Sequence, residues 1–183
     1  LSAGADLVND VWGLRMDERM GPLLAQAGAP VVLMHNRSRP RDVQQQAGLG
    51  GRYVDVSYTN LMTDLLRDLD ALVESAQACG ISADRIIVDP GIGFGKTVNQ
   101  NLAIINRLDE LRALGYPIVL GPSRKSFIGY TLDLPPDQRV EGTLAAAVVG
   151  LARGGADILR VHDVLPVARA ARMAEAILRA GGA

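Results

Sequence analysis

The stretch of the chain with the most potential for chemistry begins at Asp89 and ends at Lys96. The four residues before it predict a short buried strand, because they are mostly β-branched and apolar. The proline and three glycines after Asp89 predict a tight loop whose backbone can approach a ligand closely. A carboxylate, a bare backbone and a lysine thus meet at the carboxyl end of a strand, where α/β proteins bind ligands.

A second candidate site lies near the C-terminus, in Arg160-Val161-His162. The period of two along a strand places Arg160 and His162 on one face, and a cation beside an imidazole suits an oxyanion or a phosphate. The alternative is structural: Arg160 pairs with Asp157 or Asp163, and His162 caps a helix.

Two cations and two hydroxyls follow another apolar strand, in Ser123-Arg124-Lys125-Ser126. Burying them without an anion or a polar ligand would be costly, so they indicate either a ligand loop or a solvated one. Lys96 and Lys125 are the only lysines of the chain, and both follow predicted strands.

A planar heterocycle would fit the remaining polar strand ends. The carboxylate of Asp89 can accept from ring NH and NH2 groups, while the amide of Asn9 can both donate and accept. Met34 and Phe94 can cover such a ring, although core packing is the alternative for each of them.

Five strand-then-helix units position these residues. We expect strands near 5–9, 31–34, 85–88, 117–120 and 158–161, and helices near 17–27, 55–79, 101–114, 141–153 and after 163. The polar connection from Arg37 to about Tyr53 predicts a mobile flap or an Ω-type loop. Strict alternation of this kind predicts one domain over residues 1–183 with a parallel sheet covered by helices.

An open doubly wound sheet and an eight-stranded barrel both fit five such units. All five strand ends carry polar residues, including His35-Asn36 on the second, and a barrel can use every strand end. We therefore expect an incomplete TIM (β/α)8 barrel, with five of its βα units in this chain and the first three absent.

Composition excludes several other classes of protein. With 183 residues, 48% hydrophobic content and a formal net charge of −1, the chain predicts a globular protein with no general attraction for nucleic acid. It shows no membrane-spanning run and no signal-peptide pattern, which predicts a cytoplasmic location. Its single cysteine, Cys79, excludes an internal disulfide, and neither metal-ligand spacing nor a serine triad is present.

The motifs 89–96, 123–129 and 160–164, with Asn9-Asp10 and Leu33-Met34-His35 upstream, closely resemble those of the bacterial dihydropteroate synthases. The resemblance runs almost end to end, and the Ser123 to Gly129 run is its most specific part. It implies a TIM barrel of folate synthesis that joins p-aminobenzoate to 6-hydroxymethyl-7,8-dihydropterin pyrophosphate and releases pyrophosphate. The resemblance also implies a protein of the kind that sulfonamides target.

The resemblance also implies a role for each candidate residue. Asp89, Lys125, Arg160 and His162 would be catalytic, and Ser123 with Lys125 would border p-aminobenzoate. Arg160 and His162 would bind pyrophosphate. The pterin would be held by Asn9, Met34, Asp89, Phe94, Gly121 and Lys125.

Further implications are a Mg²⁺ cofactor, whose protein ligand would lie outside this chain, and a homodimer of the full-length protein. Because the family's first three strands have no counterpart here, we expect little or no turnover from the chain alone. Two alternatives are a pterin-binding protein without catalysis and a barrel that presents a pterin for methyl transfer to a corrinoid protein. The lysine of Ser123-Arg124-Lys125-Ser126 argues against the second.

Overall fold

The computed structural model describes residues 1–38, 42–54 and 56–180. The strands in these ranges are β1 (Val8–Asp10), β2 (Val31–Met34), β3 (Val43–Gln46), β4 (Gly50–Tyr53), β5 (Ile86–Asp89), β6 (Val119–Leu120) and β7 (Ile158–Leu159). The α-helices are α1 (Met20–Ala27), α2 (Leu61–Ala78), α3 (Val98–Asn106), α4 (Ser126–Leu132), α5 (Val140–Ala152) and α6 (Val164–Ala180). None of these helices is long and apolar enough to cross a membrane.

Five parallel strands carry the site, as the alternating pattern predicts. β2 lies between β1 and β5, and β6 pairs with β7, all in parallel. A parallel bridge between Val88 and Ile118 connects the two groups. Because all five strands are parallel, their carboxyl ends lie at one edge of the sheet, and at least one helix follows each strand.

The two faces of these strands have different roles. One face packs against the helices and supplies much of the apolar core, including Val31, Leu33, Ile86, Val88, Ile118 and Leu120. The alternate residues point the other way. Since Asn9 pairs with Val32 and Met34 pairs with Asp89, the register places Asn9, Met34 and Asp89 on this second face.

The connection from Arg37 to Tyr53 differs from the prediction of a flap or an Ω-type loop, although Arg39–Arg41 lie outside the described residues. β3 and β4 form an antiparallel hairpin in which Val43 pairs with Tyr53 and Gln46 with Gly50. Its strands are largely polar, so they lack the apolar alternation that marks a strand in sequence. Backbone pairing and contacts with α4 hold it instead.

Several helices also differ from the prediction. The predicted helix at 101–114 is α3 followed by a 3₁₀ helix at Leu108–Leu114, and α4 was not predicted. The predicted helix at 55–79 begins only at Leu61, where the Asn60 side chain accepts from the amide of Thr63.

Candidate active site

Asp89 ends β5 with its carboxylate buried, 1% of the residue being exposed. Its Oδ1 accepts from the amide of Gly91 at 2.7 Å. Its Oδ2 is buried and has no hydrogen-bond partner, and no other side-chain atom in the described ranges shares that condition. Burial raises the pKa of Asp89, whereas the positive charges of Lys125 and Arg160 oppose that rise. Such a group is suited to accept hydrogen bonds from a polar ligand.

Lys125 reaches this region from the N-terminus of α4. Its ammonium donates to the carbonyl of Ile92 and lies 4.7 Å from the centre of the Phe94 ring. Burial lowers the pKa of Lys125 to about 8, against the opposing effect of Asp89. The structure therefore brings Lys125, Phe94 and Asp89 together, as expected.

Arg160 follows β7, and its guanidinium lies 4.0 Å from Oδ2 of Asp89. The structural alternative for Arg160 is wrong, because both acids it required are bound to other arginines. Asp157 accepts from Arg112 at 2.6 and 2.9 Å, and Asp163 accepts from Arg124 at 2.8 and 2.6 Å. The Arg160 side chain is 47% exposed, which leaves it able to bind an anion.

Ser123 and His162 are directly joined. The Ser123 hydroxyl lies 2.9 Å from Nδ1 of His162 and accepts from the His162 amide at 3.1 Å. This bond links the residue expected near p-aminobenzoate to one expected near pyrophosphate. Nothing in the sequence spacing indicates it, since the two residues are 39 positions apart.

The remaining predicted pterin residues lie around the same face. Met34 is fully buried, Asn9 is exposed, and the Asn9 side chain makes no hydrogen bond to the described residues. Gly121 follows β6, where an added Cβ would lie 3.0 Å from the Arg160 guanidinium. A side chain at Gly121 would therefore displace Arg160.

His35 and Asn36, which the sequence grouped with the site, point elsewhere. His35 is buried, with Nδ1 at 2.9 Å from the ammonium of Lys96 and Nε2 at 3.2 Å from Asp68. Asn36 donates to the carbonyl of Val11 and accepts from the amide of Ser38. The expectation that these two residues face a ligand is wrong, because both side chains are occupied by hydrogen bonds to other protein groups.

Lys96 holds the glycine loop through hydrogen bonds to its carbonyls. It is 1% exposed, and its ammonium donates to the carbonyls of Gly91 and Phe94, both at 3.0 Å, as well as contacting His35. Three acceptors match the three N–H groups of an ammonium. Lys96 is thus a structural residue of the glycine loop.

Two pKa shifts follow from this burial. Burial, reinforced by the charge of Lys96, lowers the pKa of His35 to about 4. Burial also lowers the pKa of Lys96 to about 7, with Asp89 opposing. A neutral His35 that accepts from Lys96 through Nδ1 carries its proton on Nε2, where it donates to Asp68.

Asn101 is a further support that sequence reasoning missed. Its Oδ1 accepts from the amide of Gly93 at 2.7 Å, and its Nδ2 donates to the carbonyl of Thr97 at 2.8 Å. Gly91 itself has φ of 69°, and an added Cβ would lie 1.8 Å from the His35 carbonyl oxygen. The loop conformation is therefore fixed from several sides.

The described residues do not form a metal site by themselves. They contain no group of three His, Cys, Asp or Glu side chains that could hold an ion. The residues present therefore do not account for a Mg²⁺ site.

Both a family profile and curated proteins match most of this chain. The profile of the family described as "Pterin binding enzyme" matches residues 1–162. The dihydropteroate synthase of Clostridium beijerinckii is 44% identical over 98% of this chain and 61% of its own length. That of Bacillus subtilis is 43% identical over 100% and 58%. The chain thus spans about three fifths of the length of these curated relatives.

Solved structures agree. A Clostridium difficile dihydropteroate synthase crystallised in the presence of pteroic acid superposes with a TM-score of 0.82 at 42% identity, over 96% of this chain and 61% of that one. A Yersinia pestis dihydropteroate synthase in a complex with a sulfonamide drug gives 0.85 at 36% identity, over 96% and 60%. The fold is that of these TIM barrels, of which five βα units are present here. The chain belongs to the pterin binding enzyme family.

Proposed function

We propose that the protein containing these residues is a dihydropteroate synthase, which condenses p-aminobenzoate with 6-hydroxymethyl-7,8-dihydropterin pyrophosphate. The observation that carries the proposal is the buried Oδ2 of Asp89, which has no hydrogen-bond donor and lies among Lys125, Arg160 and the glycine loop. A pterin ring offers the NH and NH2 donors that this oxygen lacks. Relatives named dihydropteroate synthase, at 42–44% identity, support the same reaction.

The reaction joins a nitrogen to a carbon and releases pyrophosphate. The amine of p-aminobenzoate attacks the exocyclic carbon of the pterin, the bond from that carbon to oxygen breaks, and the amine loses a proton. Negative charge develops on the departing pyrophosphate, and Arg160 with His162 stabilises it. No protein nucleophile is required.

The other groups hold the two substrates. Asp89 and Asn9 bind the polar edge of the pterin, Met34 and Phe94 contact its ring, and Lys125 contacts both substrates. Ser123 lies near the carboxylate of p-aminobenzoate. Because the exposed guanidinium of Arg160 lies 4.0 Å from the buried Oδ2, the pterin reaches this oxygen by displacing that guanidinium.

The same family resemblance supports a Mg²⁺ cofactor bound outside the described residues, a homodimer of the whole protein and a site that sulfonamides target. The structure of the Y. pestis relative in complex with a sulfonamide drug supports the last of these.

The test is an assay of dihydropteroate formation. The chain is assayed alone and after completion with the residues of the C. beijerinckii relative that lie outside the match. We expect product from the completed protein and little or none from the chain alone. Calorimetric binding of the pterin pyrophosphate without any product, in both proteins, would instead favour a non-catalytic pterin-binding protein.

A further inference from the structure

The side chain of Arg139 is an unusual buried cation. It lies just before α5, the residue is 2% exposed, and it forms no salt bridge with the described residues. Its guanidinium instead donates to three carbonyls, those of Leu134 at 2.9 Å, Arg124 at 3.0 Å and Leu49 at 2.9 Å. A guanidinium is rarely buried without a carboxylate, so these three bonds need an explanation.

The bond to Arg124 acts on a strained position. Arg124 has φ of 54°, which is uncommon for a residue with a side chain. Its carbonyl accepts from Arg139, and its amide donates to the Thr143 hydroxyl at 3.0 Å. That hydroxyl in turn donates to the carbonyl of Arg139 at 2.9 Å. Both backbone groups of Arg124 are therefore fixed by residues at the start of α5.

Lys125 is the next residue, so its direction depends on the backbone at Arg124. With that backbone held, the Lys125 ammonium reaches the Ile92 carbonyl and lies over Phe94. If Arg124 relaxed to an ordinary negative φ, the chain direction at Lys125 would change. The bond to Asp163 holds only the Arg124 side chain.

The third carbonyl belongs to the β3–β4 hairpin. Arg139 binds Leu49 in its turn, and the Tyr130 hydroxyl of α4 donates to Gly50 at 2.9 Å. The Arg52 guanidinium lies 5.1 Å from the centre of the Tyr130 ring. The hairpin is thus attached to the same helix that begins beside Lys125.

We propose that Arg139 and Thr143 are positioning residues, which hold Arg124 in its strained conformation and so direct Lys125 over the glycine loop. Through Leu49, Arg139 makes the β3–β4 hairpin part of this support. The consequence for catalysis rests on the proposed function, in which Lys125 contacts the substrates. The placement of Lys125 itself does not rest on it.

The test therefore uses a readout that needs no substrate. Lys125, Lys96 and the N-terminal amine are the only primary amines of the chain, so competitive acetylation across pH, read by mass spectrometry, titrates each of them. The variants are Thr143→Val, which removes the hydroxyl at nearly constant shape, and Arg139→Met. Arg139→Lys is the conservative variant. Leu72→Ala, in the buried face of α2, is a control that loses stability without contacting this loop.

We expect Lys125 in Thr143→Val and Arg139→Met to titrate nearer the ordinary lysine value than the wild-type pKa of about 8, so that a smaller fraction of it is free amine at pH 8. Arg139→Lys should fall between, and Lys125 in the Leu72→Ala control should titrate as it does in wild type. Unchanged Lys125 titration in folded Thr143→Val would overturn the proposal, even if Arg139→Met did not fold.

A second measurement separates this proposal from the function. In the completed protein, Thr143→Val should raise the Kd for the pterin pyrophosphate at least fivefold at unchanged stoichiometry. If wild type binds no pterin, the proposed function fails, while the acetylation result still decides whether Thr143 and Arg139 position Lys125.

Discussion

The guanidinium of Arg160 lies 4.0 Å from Oδ2 of Asp89, close enough to attract the carboxylate but too far to donate a hydrogen bond to it. The buried oxygen is therefore stabilised by charge while its capacity to accept remains unused. Substituting Asp89 and substituting Arg160 should therefore change the free energy of unfolding by different amounts, because Asp89 is buried and Arg160 is half exposed.

Asp89→Asn should make the protein more stable while removing its ligand binding. The amide keeps the acceptor for Gly91 and removes the buried charge, so we expect a gain of about 1 kcal/mol in the free energy of unfolding at pH 7.5. Urea denaturation of both proteins measures it. A loss of stability of similar size would show that the carboxylate is structurally required.

The pH dependence of the same variant has a defined sign. Burial raises the folded-state pKa of Asp89 above the ordinary value of 3.8, so the folded protein holds this proton more tightly. Relative to Asp89→Asn, wild type should lose stability as the pH rises from 3.8 to the raised folded pKa, and the difference should then stay constant. The opposite slope would contradict the assigned burial effect.

Much of this site could be predicted from the sequence, because strand ends and period-two patterns are local. Residue type and position are enough to predict Arg160, His162, Asp89 with its glycines, and Lys125. They do not predict the residues that hold the glycine loop in place. Asn101 and Asp68 resemble ordinary helical surface residues, and only the folded chain brings them to Gly93 and His35.

The hairpin and α4 were missed for a related reason. Gln44 to Gln46 show no apolar alternation, and α4 has only seven residues after a loop rich in charge. Their stability comes from tertiary bonds such as that of Tyr130 to Gly50, which local propensity does not contain.

Substituting the two lysines should reduce the free energy of unfolding by different amounts. Lys96→Ala leaves the Gly91 and Phe94 carbonyls and His35 without a donor, so we expect a loss of about 3 kcal/mol or more of unfolding free energy. Lys125→Ala loses one bond to Ile92 and should cost about 1 kcal/mol or less.

Activity should follow the opposite order. In the completed protein, Lys125→Ala should reduce kcat/KM far more than Lys96→Ala does, when both are compared per folded molecule. Denaturation curves and initial rates on the same preparations give both quantities. Equal losses of activity would overturn this ordering.

His35 should account for part of the acid sensitivity of the fold. Its pKa is about 4 when folded, against 6.5 ordinarily, so the unfolded chain binds the extra proton between these values. Stability should fall as the pH drops from 6.5 to 4, by at most about 1.4 kcal/mol per unit from this group. His35→Asn, whose amide oxygen can still accept from Lys96, should flatten that slope. Because Asp89 contributes the opposite slope, both proteins are compared in the Asp89→Asn background.

Arg160 should affect anion binding with little effect on stability. Its side chain is 47% exposed and makes no hydrogen bond to the described residues, so Arg160→Met should change the free energy of unfolding by about 0.5 kcal/mol or less. Pyrophosphate affinity should fall about tenfold or more, and the difference should shrink at high salt. Arg179→Met, on the exposed face of α6, is the control and should bind pyrophosphate as wild type does. An equal loss in both variants would indicate a general charge effect.

The most direct test of the proposal that Asp89 binds the pterin is calorimetric titration of the completed protein with 6-hydroxymethyl-7,8-dihydropterin pyrophosphate, comparing wild type with Asp89→Asn. We expect one site per chain in wild type and at least a hundredfold weaker binding in the folded variant, because the variant presents an amide NH2 where the pterin needs an acceptor. Equal affinity of the two proteins, or no binding by folded wild type, would contradict it.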